Sequence, residues 1–147
     1  MRRLIALTAC ILAFGTAEPA SPAQDNAKTS MVTAAQVNGT WKNARNEFKI
    51  LALGKNRLKV EFYGTHEYRT AAGPGANTGE LSGIATIEGT IATLKQDDGD
   101  EKCTLTLKFK AGRMEVSEEG VCGFGAGVSA EGIYRRVSSR KPTFTEQ

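Results

Sequence analysis

The chain is poor in the residues that usually carry chemistry. Its 147 residues include one histidine, one tryptophan, three cysteines and four prolines. With His66 alone and no C-x-x-C, there is neither a His/Cys zinc set nor a dithiol redox motif. No stretch shows a helical apolar period for more than two turns, which excludes a helical bundle. Past the first residues no apolar run is long enough to cross a bilayer as a helix. Charge is close to balanced, at +3 for the whole chain, so there is no nucleic-acid signature. Arg135, Arg136, Arg140 and Lys141 do cluster, and read as a solvated terminus.

What is present falls into four parts. Arg2 and Arg3 precede the apolar run LIALTACILAF, which is too short to span a membrane and reads as an export leader over residues 1–23. Cleavage after Ala17 or Ala23 fits the small residues on either side, and the second cut leaves a net charge of +2 by removing Arg2, Arg3 and Glu18. A minor alternative is LTAC as a lipobox, with Cys10 acylated. Residues 24–36 are small, polar and aperiodic, and read as a flexible spacer. Residues 37–138 are short alternating runs broken by glycine, which is the pattern of an all-β domain. Residues 139–147 form a polar C-terminal tail. The expected location is periplasmic or secreted.

The runs can be paired into hairpins. In NEFKILALGKNRLKVEFY, a loop at Gly54-Lys55-Asn56 places Ala52 opposite Leu58, Ile50 opposite Val60 and Phe48 opposite Phe62. One face is then apolar, and Lys49 meets Glu61 on the other. LSGIATIEGTIATLKQ folds on Glu88-Gly89 and aligns Leu81, Ala85 and Ile87 with Ala92 and Leu94, leaving Ile84 and Ile91 outside. TAAGPGANTG, residues 70–79, is rich in Gly, Pro and Asn and reads as a loop. The count gives seven or eight short antiparallel strands. An up-and-down barrel is preferred to an open sheet because closure removes exposed edges.

The remaining cysteines bound CTLTLKFKAGRMEVSEEGVC. A turn at Gly112-Arg113 pairs Ala111 with Met114, Lys110 with Glu115 and Phe109 with Val116, and brings Cys103 opposite Cys122. In an exported chain that predicts a disulfide. Glu118 then points inward opposite Leu107, so either a bulge at Glu118-Glu119-Gly120 turns it out or it pairs with a cation such as Arg135.

Gly39-Thr40-Trp41 resembles the G-x-W that opens lipocalin-like barrels, a superfamily that sets an arginine across the tryptophan. Arg135 or Arg136 in the last strand occupies that place, and the resemblance implies barrel closure through Trp41 and Arg135. NTGELSG, CTLTLKF, CGFG and GIYRRV are together similar to small secreted bacterial proteins of unassigned role. More distantly, Ser82-Gly83-Ile84-Ala85-Thr86 resembles the Ser-Gly-x-x-Tyr loop that C-type lysozyme inhibitors insert into their enzyme, with Thr86 in place of the tyrosine.

Other motifs carry less. His66 in GTHEYRT reads as a solvated histidine, the glycines of GPGANTG and CGFGAG as turns with no helix behind them, and the acidic run 97–101 as a solvated hairpin tip. Asn38-Gly39-Thr40 matches a glycosylation sequon only at chance level. The expectation is an exported, monomeric, non-enzymatic binding module without metal or cofactor. It would act through loops, chiefly residues 64–83, 96–102 and 123–130, with Ser82, Gly83, Thr86 and His66 as candidate contacts and a hydrolase such as lysozyme as the partner class. The alternative is a carrier of a small apolar ligand, although Phe48, Phe62 and Phe109 would fill the interior of so small a barrel.

Overall fold

The structure, a computed structural model, describes residues 31–99 and 101–145. The expected leader, Cys10 and residues 24–30 of the expected spacer lie outside the described residues. Eight antiparallel strands run in chain order around a closed barrel. They are β1 (Gly39–Lys42), β2 (Asn46–Gly54), β3 (Arg57–Thr70), β4 (Gly73–Glu88), β5 (Ile91–Asp98), β6 (Glu101–Lys110), β7 (Arg113–Gly120) and β8 (Gly132–Ser138). A single turn of helix, α1 (Ala34–Val37), precedes them.

The expected β2–β3 register is observed pair for pair, including Phe48 with Phe62 and Lys49 with Glu61. Lys55 and Asn56 both take left-handed backbone (φ 50° and 58°). They form a two-residue turn, the type whose twist suits a hairpin, and the third expected loop residue, Gly54, pairs with Arg57 beside an irregularity in the ladder. The β4–β5 turn lies at Gly89-Thr90, not Glu88-Gly89, so Ile87 pairs with Ala92 in a register two residues from the expected one that keeps the same faces.

The largest departure is residues 70–79. They are not a loop: all of Arg57–Thr70 is paired with Gly73–Thr86, so β3 and β4 form one long hairpin turning at Ala71-Ala72. The composition misled because Gly75 and Gly79 lie on one face of the strand, where glycine makes room for Tyr68 and Phe124 and does not turn the chain, and because an edge strand tolerates Pro74. Gly73, at φ 124°, does belong to the turn.

The β6–β7 hairpin also differs from expectation. Its turn is Ala111-Gly112, with Gly112 at φ 67° in second position, so Phe109 pairs with Met114 and Leu107 with Val116. The slip is two residues, which preserves the faces because side chains alternate with period two. Cys103 is therefore opposite Gly120, not Cys122. The disulfide forms all the same, with the two Cα atoms 4.6 Å apart. Gly120 makes this possible: at φ 89° it bends the chain where a Cβ would lie 1.9 Å from the Lys102 carbonyl oxygen, and the Val121 N–H donates to that same oxygen at 2.9 Å.

Inside the barrel the inward residues meet as a continuous apolar core. Trp41, Phe48, Ile50, Val60, Phe62, Leu105, Leu107, Met114 and Tyr134 are wholly buried. Phe48 packs against both Phe62 and Tyr134 at 4.9 Å between ring centroids, and Trp41 meets Phe109 edge-on at 5.6 Å.

β1 closes the barrel on β8, with Trp41 opposite Arg136. Arg136, and not Arg135, lies over the Trp41 ring, 5.7 Å from its centroid. Alternation explains the choice: Arg135 is exposed on the outer wall while its neighbour turns toward the barrel end. Ala35, near the end of the expected spacer, and Val37, the first residue of the expected domain, take part in this closure. Val37 is buried, the Trp41 Nε1–H donates to its carbonyl at 2.9 Å, and Arg136 donates to the Ala35 carbonyl at 2.6 Å.

The tail also has a place, lying across the outer face of β3. Thr145 N–H donates to Glu61 Oε2 at 2.8 Å, and Lys59 Nζ sits 4.5 Å from the Phe144 ring centroid. Burial pushes the Glu61 carboxyl up, but hydrogen bonds from Lys49 and Thr145 and the Lys49 charge outweigh it and hold its pKa below the usual value. A carboxyl with a lowered native pKa contributes stability above its unfolded pKa, and loses it as pH falls through the native one. The stability gap between the wild type and Glu61→Gln should therefore be full at neutral pH and shrink below about pH 4.5. Urea denaturation of both proteins across that range checks it.

Candidate functional site

The long β3–β4 hairpin outruns its neighbours. β2 pairs with β3 only as far as Gly64, and β5 pairs with β4 only at Thr86–Glu88. Residues 65–78 therefore project from one end of the barrel as a two-stranded arm. An isolated hairpin is marginal in water, so the arm needs support, and the segment after β7 supplies it.

That segment, residues 121–130, runs from the disulfide across the arm's base. Phe124 packs on Phe62 at 5.0 Å and lies over Gly79, where an added Cβ would be 2.8 Å from its ring. The Gly125 N–H donates to the Thr78 carbonyl at 3.0 Å, giving β4 a hydrogen bond on the edge that β5 leaves. Asn77 Nδ2 donates to the Ala126 carbonyl at 2.6 Å. Gly127, at φ 79°, presses on the His66 ring, leaving no room for a side chain.

The far end of the segment is fixed by Glu118. Its Oε2 accepts from Ser129 Oγ and from the Ala130 N–H, both at 2.8 Å. Neither expected fate of Glu118 holds: it opposes Leu105, not Leu107, and its partners are these loop donors, not Arg135. Tyr134 Oη donates to the Ala130 carbonyl at 2.6 Å, and Asn46 Nδ2 donates to the Ser129 carbonyl at 2.8 Å. Burial pushes the Tyr134 hydroxyl up to about 12 against the opposing hydrogen bonds from Asn46 and Asn43, so it stays a protonated donor.

The residues picked out by the sequence do not come together. Ser82, Gly83 and Thr86 are not in a loop but within β4, opposite Glu61, Val60 and Arg57 of β3. Thr86 lines a shallow outer groove of about 530 Å³ with Ile84 and Ile91, while Gly83 faces inward under Leu94. His66 is in the arm but packed, not solvated, and its Nδ1 is buried without a hydrogen-bond partner. Trp41 and Arg136 belong to the opposite, plugged end. Among the described residues, no three His, Cys, Asp or Glu side chains come together as a metal set.

The arm falls within the stretch 64–83 that the sequence marks as functional, but as a paired hairpin and not a loop, and its exposed Tyr68 and Arg69 are what sequence reasoning missed. Tyr68 is 41% exposed, its ring seated over Gly75, where a Cβ would be 2.6 Å away. Glu67, Tyr68, Arg69, Pro74, Gly75 and Ala76 line an open cleft of about 630 Å³. The overlooked signal was the two-residue spacing of His66, Tyr68 and Thr70 against Asn77, Gly75 and Gly73, which is a strand period. No protein-family model matches the chain, and neither a curated protein nor a solved structure does.

Gly79→Val should push Phe124 off the arm. We expect a loss of roughly 1–3 kcal/mol in unfolding free energy, typical of overpacking, with faster exchange of the Gly125 amide. Unchanged stability together with a protected Gly125 amide would contradict the support described here.

Proposed function

We propose that this chain is an exported, non-enzymatic binding module that engages a protein partner through the arm end of the barrel. The observation that carries the reading is the arm itself, a projecting hairpin with exposed Tyr68 and Arg69, held rigid at its base by a disulfide-tethered segment. Tyrosine and arginine are over-represented among the residues that dominate interface energies. Bracing the arm before contact lowers the ordering cost of association. A disulfide persists in oxidising compartments, and no helix among the described residues is long and apolar enough to cross a membrane. Both are compatible with export.

A secreted hydrolase such as lysozyme is the partner class proposed. Because Ser82, Gly83 and Thr86 are held in β4, the inserted element would be the arm and not a Ser-Gly loop. The cavity that a carrier of apolar ligands requires is occupied by Phe48, Phe62, Tyr134 and their neighbours.

Titrating the protein into a C-type lysozyme assay tests this. Stoichiometric inhibition is expected, weakened about tenfold or more in Tyr68→Ala/Arg69→Ala, a loss in the range of interface hot spots. Full lysozyme activity at large protein excess would remove this partner, and inhibition unaltered by the double substitution would move the contact away from the arm.

A further inference from the structure

On the wall away from the arm, register partners place four cations side by side. Lys110 on β6 is opposite Arg113 on β7, Arg113 is opposite Arg135 on β8, and Arg135 is opposite Lys42 on β1. All four are exposed. Adjacent strands lie about 4.8 Å apart, and like charges directly opposite one another destabilise a sheet. The outer two are relieved, Lys110 by Glu115 at 3.2 Å and Lys42 by Glu47 at 2.6 Å. Arg113 and Arg135, the central pair, make no salt bridge among the described residues. The fold therefore keeps an unneutralised pair of arginines at the middle of a cationic row, a small repulsion that facing negative charge would relieve.

A second observation narrows the source of that charge. Along β8 the outward positions are Ile133, Arg135 and Val137, alternating with buried Tyr134 and half-buried Arg136. Ile133 and Val137 are 55% and 58% exposed, on a wall where a solvated sheet carries polar residues. A soluble polyanion would use the arginines and leave these aliphatic groups in water. An anionic bilayer uses both, because headgroup phosphates meet the cations while apolar side chains enter the interface beneath them.

We infer that the β7–β8–β1 wall docks on the surface of an anionic phospholipid bilayer. Arg113 and Arg135, with Lys42 and Lys110 beside them, face the phosphates, and Ile133 and Val137 enter the headgroup layer. The strands of the arm, β3 and β4, are three and four strands around the barrel from β8, so the docked protein holds the arm away from the bilayer and free to engage a partner. Docking and partner binding are separate properties of separate walls.

Co-sedimentation of the disulfide-bonded protein with vesicles tests this independently of any hydrolase. Binding is expected to vesicles of equal parts phosphatidylglycerol and phosphatidylcholine, to fall as salt rises, and to be absent with pure phosphatidylcholine. Arg113→Ser/Arg135→Ser should bind on the order of tenfold or more weakly. Ile133→Ser/Val137→Ser should also lose affinity while keeping the same salt dependence. Near-UV circular dichroism confirms that each variant is folded. The proposal is overturned if the wild type ignores the mixed vesicles, or if the aliphatic double variant binds them as well as the wild type. It is equally overturned if soluble polyphosphate binds the wild type and the vesicles do not, which would assign the row to a soluble polyanion.

Discussion

The bond between Cys103 and Cys122 ties the segment after β7 back to the wall it has just left, and the far end of the barrel depends on that tie. Without it, residues 121–130 would be held at their start only by the Val121–Lys102 hydrogen bond, and at their finish by Glu118, Tyr134 and Asn46. With it, Phe124 is delivered to Gly79 and Phe62, and Gly125 to the edge of β4. The bond closes a 19-residue separation, which corresponds to about 3 kcal/mol of lost denatured-state freedom in the chain-entropy picture. Its local effect is more specific: it turns a glycine-rich segment into a buttress for an arm that would otherwise fray.

The two ends of the barrel are built on different principles. One is plugged, by α1, Trp41 and Arg136, with the carbonyls that end the short helix receiving an indole N–H and a guanidinium. The other is extended outward by the arm. Between them the interior is filled by aromatic and branched aliphatic side chains, so any partner would be met on its outside. There the arm carries the tyrosine and arginine suited to a protein partner, and the opposite wall carries the arginine pair and aliphatic residues suited to a bilayer.

Strand existence and facing were legible in the sequence because alternation records them directly. Phe48, Ile50, Ala52 and their partners fix the β2–β3 register with no other information. Faces survived even where the register did not, since the β6–β7 slip was by two residues and two is the period. The exact turns were not legible: Gly112 suits either the first or the second turn position, and only packing of the whole barrel chooses. The arm was hidden by its own glycines. They were read as turn formers, whereas Gly75 and Gly79 are absent side chains under Tyr68 and Phe124, a purpose visible only in three dimensions. Arg136 and Arg135 are adjacent and chemically equal, so a resemblance alone could not say which one covers Trp41.

Amide hydrogen exchange on the oxidised protein and on Cys103→Ala/Cys122→Ala tests the central claim most directly. Removing the bond should expose the amides of residues 123–130 and of the arm's base near Thr78, Gly125 above all, while β2, β6 and the Phe48–Phe62 region keep their protection. Unaltered protection of Gly125, or equal loss of protection throughout the barrel, would show that the disulfide is not the local tether on which the arm depends.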